Sequence, residues 1–493
     1  MCSLALERLG DDPKHKGRRR KLVDLRLHLE AQTKCPVSNM PVELLLEIFA
    51  LSRRPVVLSQ VCRQWREVAF SQPTLWRSLV LKGPAKNALR KIREWHKRSG
   101  GRIVGLSIHR SLAATLYPSA VDTRLPDDHV LCAYVLDALQ KLDMTELQEC
   151  HIEDMNAELF LIALSGGHSV GFIHQYLNTL SISHSSRHSV VFGHADLAIL
   201  PWKNLRALSI TSQRCNWAAL STSMRHLTSF EYRIHHGSFA HFRHIHLFFK
   251  ANPGLEKLVF EAITDPNHFE PQESLIMPHL RHLELNGITP FRFKRGNFSL
   301  PSLRILRMNW LQNAAPTLSE LITDEETSFA ELVELTARGC TLGPLLTSTL
   351  LRAPKLEILN CTSDDLDACI IAQSLTRPCM GLLRDRASED RKVVHIKLPI
   401  LCPSLSVLDL SGSPSLKTGT VMRIVEERIA LAASEDGRYR LPGENGNRVV
   451  SCIRDLKVDE CPLIEAEMHP WFQKNVPQFS CRYELSQRRW WLR

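Results

Sequence analysis

One short motif recurs from about residue 100 onward, and it restricts the fold of this chain more than any other feature. The motif is Leu-x-x-Leu-x followed by an apolar residue, and a Pro or Asn often stands just before it. Between residues 177 and 356 successive copies begin 22 to 29 residues apart, and the last two gaps, of 49 and 48 residues, each span about two repeats. The copies begin at Ile103, Leu177, Leu205, Leu227, Leu255, Leu280, Leu303, Leu332, Leu356, Leu405 and Ile453.

The spacing within the motif predicts a short β-strand. Alternate residues of a strand point to the same face, so the second leucine and the final apolar residue share one buried face. One such strand cannot bury that face, whereas a stack of strands builds a continuous core. The sequence therefore predicts an α/β array, with helical return segments such as residues 239–251 and 343–352 between strands.

The motif and its period resemble the leucine-rich repeat. This resemblance implies an α/β horseshoe solenoid over residues 83–470 and a C-terminal cap or tail over residues 471–493. The Asn or Cys that usually ends the strand segment is mostly missing, so an irregular α/β solenoid or a mostly helical one stays open. The larger gaps predict inserted loops at residues 377–400 and 434–450, which contain charged residues and Gly or Asn turn signals.

A different pattern occupies residues 40–81, where three short amphipathic segments follow one another. The first runs from Pro41 to Leu51 and the second from Val57 to Phe70, and Ser71 and Pro73 open the third. A helical bundle of this size rarely holds a sufficient core alone. A partner helix or the rest of the chain must therefore cover its apolar surface.

This stretch resembles the F-box. Its three parts read Met40-Pro41-Val42-Glu43-Leu44-Leu45-Leu46-Glu47-Ile48-Phe49, then Val61-Cys62-Arg63-Gln64-Trp65, then Pro73-Thr74-Leu75-Trp76. Met40 replaces the family's usual leucine, a change that conserves volume. The F-box is assigned to residues 35–82, after a basic N-terminal segment with a short helix at residues 1–34. The whole chain is similar to F-box proteins with a leucine-rich-repeat-like C-terminal domain, a fungal-type family.

The resemblance implies a function. The F-box would dock on the Skp-type adaptor of a Skp–cullin–F-box (SCF) ubiquitin ligase, and the repeat domain would hold an unknown target protein. The chain would be a non-catalytic substrate receptor in the cytoplasm or nucleus, and cullin–RING would join it through the adaptor. The residues expected to bind the adaptor are Pro41, Leu44, Leu45, Ile48, Phe49, Leu58, Val61, Cys62, Trp65, Val68, Leu75 and Trp76.

Two other functions stay open. One is a scaffold that uses the F-box with the adaptor alone, and the other is nucleic-acid binding through the basic N-terminus. Residues 1–100 hold 21 Lys+Arg against 9 Asp+Glu, a balance of +12, so the total of +10 leaves −2 for the remainder. The positive charge therefore belongs to the N-terminal fifth, which argues against a general nucleic-acid coat.

No pattern of catalytic chemistry stands out. The chain has no P-loop and no dinucleotide-type glycine motif. The histidines between residues 235 and 246 lack a completing carboxylate, and no cofactor or metal site is predicted. The 14 cysteines show no C-x-x-C pair and are expected to be reduced, which favours the cytosol or nucleus. No apolar run approaches the length that a membrane span needs.

The target is expected on the exposed face of the strands or on the inserted loops. Polar residues within and beside the strand motifs are the candidates, and Glu284, between two buried leucines, is expected to tolerate replacement by lysine. The candidate positions are Arg281, His282, Glu284, Arg304, Arg307 and Asn309.

Overall fold

The structure is a computed structural model, and parts of the chain lie outside the residues that it describes. The described residues are 21, 23, 40–52, 54–83, 85–109, 137–139, 141–153, 176–183, 191–192, 202–211, 214–233, 242–261, 275–287, 298–310, 318, 329–340, 342, 344–362, 374–376, 379–384, 393–441 and 446–482. The basic cluster before residue 21 and the aromatic and basic end at residues 483–493 therefore receive no structural account.

Nine helices lie in the described part of the chain. They are α1 (Val42–Ser52), α2 (Pro55–Val61), α3 (Arg63–Ser71), α4 (Ala85–Ser99), α5 (Trp217–Ser223), α6 (Phe242–Ala251), α7 (Pro344–Leu351), α8 (Thr418–Ala433) and α9 (His469–Asn475). Short 3₁₀ helices occur at Pro73–Trp76, Phe329–Glu331, Glu435–Gly437 and Ala466–Met468.

Fourteen strands form one sheet in chain order, and every neighbouring pair is parallel. Four two-stranded sheets accompany it: β5 (Val191–Phe192) with β7 (Arg214–Cys215), β10 (Leu275–Ile276) with β12 (Phe298–Ser299), β16 (Cys379–Arg384) with β17 (Val393–Leu398), and β19 (Arg438–Tyr439) with β20 (Arg448–Val449). The strands of the large sheet are β1 (Ser78–Leu81), β2 (Gly105–Ile108), β3 (Glu149–Glu153), β4 (Thr179–Ser183), β6 (Ala207–Thr211), β8 (Ser229–Arg233), β9 (Lys257–Glu261), β11 (His282–Asn286), β13 (Ile305–Asn309), β14 (Glu334–Arg338), β15 (Ile358–Thr362), β18 (Val407–Asp409), β21 (Asp455–Lys457) and β22 (Gln478–Ser480).

The predicted strand phase is the observed one. Each of the eleven motif copies supplies a strand of the large sheet, and the second motif position lies opposite the same position of its neighbour. Leu283, for example, pairs with Leu258 on one side and Leu306 on the other. Both inward positions are buried, as at Leu283 (2% exposed) and Leu285 (1%). The continuous parallel sheet is compatible with a solenoid and excludes the mostly helical alternative for the described residues.

Three strands of the large sheet do not match the repeat motif and were not predicted. Strand β1 uses Trp76-x-x-Leu79, β3 uses Leu147-x-x-Cys150, and β22 uses Val476-x-x-Phe479. Trp or Val replaces the first leucine, and Cys or Phe the second, yet these positions continue the same register. Strand β1 therefore lies inside the segment assigned to the F-box, and the sheet begins before residue 83.

The segments between strands follow the predicted plan with two differences. The return segments form α6 and α7, close to the predicted bounds. The side chain of Asn252, after α6, accepts from the Leu227 N–H and donates to the Met224 carbonyl of the preceding repeat. The region predicted as a loop at residues 377–400 contains the antiparallel pair β16 and β17, and the region at 434–450 contains β19 and β20. Near the C-terminus Phe472 of α9 stacks on Phe479 of β22 and is fully buried.

Candidate partner-binding surfaces

The helices α1 to α3 form a small bundle whose core is filled by one set of the predicted adaptor residues. Of these, Leu45 and Phe49 of α1 are fully buried, and the Phe49 ring lies 4.9 Å from that of Trp65. Such side chains stabilise the bundle instead of offering a docking surface. The buried members of the predicted set are Leu45, Phe49, Leu58, Val68 and Trp76, and Trp65 and Leu75 are half-buried.

The other predicted residues lie on the surface of the bundle. Leu44 is 50% exposed, Ile48 is 40% exposed and Val61 is 58% exposed, and Pro41 and Cys62 are also exposed. Cys62 also accepts a bond from the Trp65 backbone N–H at 3.4 Å and so caps α3. The structure thus divides the twelve residues between a buried or half-buried set and an exposed set, for which adaptor contact stays a prediction.

The exposed residues of α1 form a stripe that extends beyond the predicted set. Leu44, Ile48 and Leu51 follow one another at helical spacing, and Leu51 is 84% exposed. Val57 of α2, at one turn from Val61, is 55% exposed. Sequence reasoning missed Leu51 and Val57, although the spacing from Leu44 to Leu51 signals the first. Helix α1 is therefore apolar on two faces, of which the described structure buries only one.

A cluster of rings joins this bundle to the sheet. The Trp76 ring lies 4.9 Å from that of Trp95 in α4 and 5.7 Å from that of Phe70 in α3. Its Nε1–H donates to the Ala69 carbonyl at 2.8 Å, and the Arg98 guanidinium lies 4.3 Å from its ring. Trp76 thus belongs to the core of the sheet while it holds the end of α3, which fixes the bundle against the first repeats.

The face of the sheet opposite the buried leucines carries a network of charges. In its centre Arg233 lies near three carboxylates: Glu231 at 2.7 Å, Glu284 at 3.5 Å and Glu261 at 4.0 Å. On β13, the neighbour of β11, Arg307 donates to both carboxylate oxygens of Glu334 on β14, at 2.7 and 3.2 Å. The charges on these central strands therefore largely satisfy one another.

Glu284 is the most perturbed carboxylate of that network. Its side chain is only 13% exposed, and the Nε2 of His282 lies 3.8 Å from it. His282 lowers the pKa of Glu284 most, Asn286 and Arg233 add to the effect, and burial opposes it, which leaves the pKa at about 2. Glu284 is thus ionised and held in place, contrary to the expectation that it would tolerate lysine.

The predicted target-binding positions fall into two groups. Arg281 and Arg304 are exposed in the turns that lead into β11 and β13. His282, Glu284, Arg307 and Asn309 are half-buried on the strands and take part in the polar network.

A basic stripe runs along α4, next to the bundle. Lys86, Arg90, Arg93 and Lys97 recur at helical spacing and are exposed, and no carboxylate among the described residues pairs with them. Four basic residues of the described N-terminal region therefore share one exposed helix face.

The described residues contain neither a metal-binding cluster nor a membrane-spanning helix. No group of three His, Cys, Asp or Glu side chains there has a geometry that could hold a metal ion. No helix there combines the length and the apolar character that a membrane crossing needs.

One domain of the chain matches a known protein family. Residues 37–82 match the F-box-like family, so the chain carries an F-box-like domain at the bundle α1 to α3. F-box domains typically bind Skp-type adaptors in SCF-type complexes. The comparison with curated proteins gave no match.

Proposed function

We propose that this chain is the substrate-recognition subunit of an SCF ubiquitin ligase, without catalytic chemistry of its own, acting in the cytoplasm or nucleus. One observation carries the proposal most directly. The F-box-like domain fills its own core with one face of α1 and leaves the stripe Leu44, Ile48 and Leu51 exposed. A solvent-exposed apolar stripe of this kind marks an interaction surface, and a Skp-type adaptor is the partner that the domain implies.

We also propose that the sheet is a leucine-rich-repeat-type horseshoe that receives the target protein. The repeat period, the parallel order and the in-register ladder support this assignment. Stacked repeats of this kind offer an extended polar face beside the buried one.

The contacts of Trp76 suggest how binding leads to ubiquitin transfer. Because Trp76 packs against both α3 and α4, a target on the sheet is held in a fixed orientation relative to the adaptor. In this mechanism the RING-bound E2 supplies the thioester, and proximity makes the transfer effectively intramolecular. The chain contributes position only.

Co-purification of the full-length chain with adaptor and cullin tests the proposal. The variant Leu44→Ala/Ile48→Ala should lose adaptor at an unchanged melting temperature, because both side chains are about half exposed. Burial of each is worth about 1–2 kcal/mol, so the two together should weaken binding roughly 30- to 700-fold. Leu463→Ala, which alters a similarly exposed leucine elsewhere in the chain, is the matched control.

Each result has a defined meaning. If the native chain retains adaptor and cullin and only the double variant loses adaptor, the result supports the proposed receptor function. Adaptor without cullin would favour the scaffold function. A native chain that retains neither would refute the proposal and direct attention to the basic face of α4.

A further inference from the structure

At the C-terminal ends of three neighbouring strands, a row of residues has a left-handed backbone conformation. Gly287 (φ 77°), Trp310 (φ 56°) and Gly339 (φ 58°) stand directly after β11, β13 and β14. Their N–H groups continue the ladder, since Gly287 donates to Asn309, Trp310 to Arg338 and Gly339 to Thr362. Glycine adopts this conformation without steric penalty, whereas a bulky side chain there is a genuine outlier. Trp310 is therefore strained where the neighbouring repeats have glycine.

The side chain of Trp310 is also uncovered. It is 73% exposed, the most exposed large hydrophobic aromatic side chain in the described structure. Its ring lies against Gly339, where an added Cβ would overlap the indole. Gly287, on the other side of the row, has no side chain to cover it. Backbone strain that persists beside exposed aromatic area is typical of a functional position.

An available positive charge belongs to Arg338, whose backbone carbonyl accepts the bond from the Trp310 N–H. Arg338 pairs in register with Asn309, is exposed, and has no carboxylate partner among the described residues. Arg307, in contrast, is already held by Glu334, and the Asn309 amide donates to Asn286 at 2.8 Å. Arg338, whose backbone carbonyl is bonded to the Trp310 N–H, is thus the exposed cation left open among these residues, and it suits an anionic group.

We propose that Trp310 and Arg338 form an anchor for an acidic peptide segment of the target protein. An apolar side chain of the segment packs on the indole, and an adjacent anionic group, a carboxylate or a phosphorylated side chain, binds the guanidinium by paired hydrogen bonds. The bare backbone at Gly287, where nothing lies within 4 Å of the Cβ position, leaves room for the segment on the side of the indole away from Gly339. This inference rests on the proposed receptor function and specifies the chemistry of its target.

The strain provides the first test. In the full-length chain Trp310→Gly should unfold at the same temperature as the native chain or higher, because glycine relieves the left-handed backbone. A lower melting temperature would show that the indole serves to hold the repeat, and the proposal would be overturned.

Binding provides the second test. A random-sequence peptide library displayed on phage is selected on the native chain and counter-selected on Trp310→Gly. The enriched peptides should place an apolar residue next to Asp or Glu. Their synthetic forms should bind Trp310→Gly and Arg338→Gln at least roughly tenfold more weakly by fluorescence anisotropy. Arg225→Gln, which removes an exposed arginine of the turn after α5, should bind normally.

Two further arms separate the possible outcomes. Peptides with phosphoserine in place of the acidic residue show which anion is preferred. Enriched peptides that bind Trp310→Gly as well as the native chain, or a selection that yields no common motif, would refute the anchor. Adaptor binding is measured in parallel and should be retained by both variants. A native chain that binds the peptides but no adaptor would overturn the proposed ligase function and leave the anchor standing.

Discussion

Replacing Glu284 by Gln tests whether the charge network on the strand face stabilises the repeats. Glutamine keeps the size of the side chain and can still bond to Asn286, but it removes the charge that faces His282 and Arg233. The comparison therefore isolates the ionised carboxylate from its packing.

The magnitude follows from the pKa of Glu284. A fall of the pKa from its ordinary 4.5 to about 2 corresponds to at most roughly 3 kcal/mol at neutral pH, because solvent screens part of the interaction. Because the folded-state pKa is lowered, this stability is fully present above about pH 4.5 and is lost as the pH falls through about 2. By the same relation the contribution should be roughly 1.5 kcal/mol at about pH 3.

Urea unfolding of the native chain and of Glu284→Gln across this pH range is the assay. The variant should be less stable by up to roughly 3 kcal/mol at neutral pH, and the difference should shrink by about half at about pH 3. Glu357→Gln, an exposed carboxylate with no ion pair in the described structure, should change little at either pH. A difference for Glu284→Gln that stays constant with pH would refute the electrostatic reasoning, because packing alone does not titrate.

Three other changes test separate parts of the fold. Arg428→Met should lower the free energy of unfolding in urea by about 3 kcal/mol or more, because four buried carbonyls would lose their donor. Arg428 donates to the carbonyls of Leu401, Cys402, Leu405 and Ser451. Equal stability would contradict this role. Trp76→Leu should cost about 3 kcal/mol and make the F-box-like domain separately cleavable in limited proteolysis; cleavage at the native rate would count against the junction. Leu283→Asp should cost several kcal/mol and unfold neighbouring repeats together, as seen by hydrogen exchange, because it buries a charge in the ladder; exchange confined to one strand would argue against a cooperative array.

The sequence determined which residues of each strand face the core, because the alternation of buried and exposed positions depends only on near neighbours in the chain. Period-2 burial within each motif is visible in six residues, and so eleven strands of the sheet could be predicted with their inward positions. The strands at β1, β3 and β22 escaped because Trp, Cys, Phe and Val can fill a leucine position in the core, and the pattern alone does not show which substitution the packing accepts. The F-box-like domain was recognised for a related reason, since its three motifs lie within about forty residues.

Only the tertiary structure decided how each apolar or charged residue is used. Helix α1 is apolar on two faces, and the positions of α2 and α3 determine that Leu45 is buried while Leu44 remains exposed. The held state of Glu284 depends on Arg233, two strands away in the sheet and 51 residues away in sequence. The exposure of Trp310 likewise depends on Gly339 of the next repeat, which leaves the space that the indole occupies. Short-range periodicity fixes which side of an element faces the core, whereas contacts between distant residues determine which surface stays open to a partner.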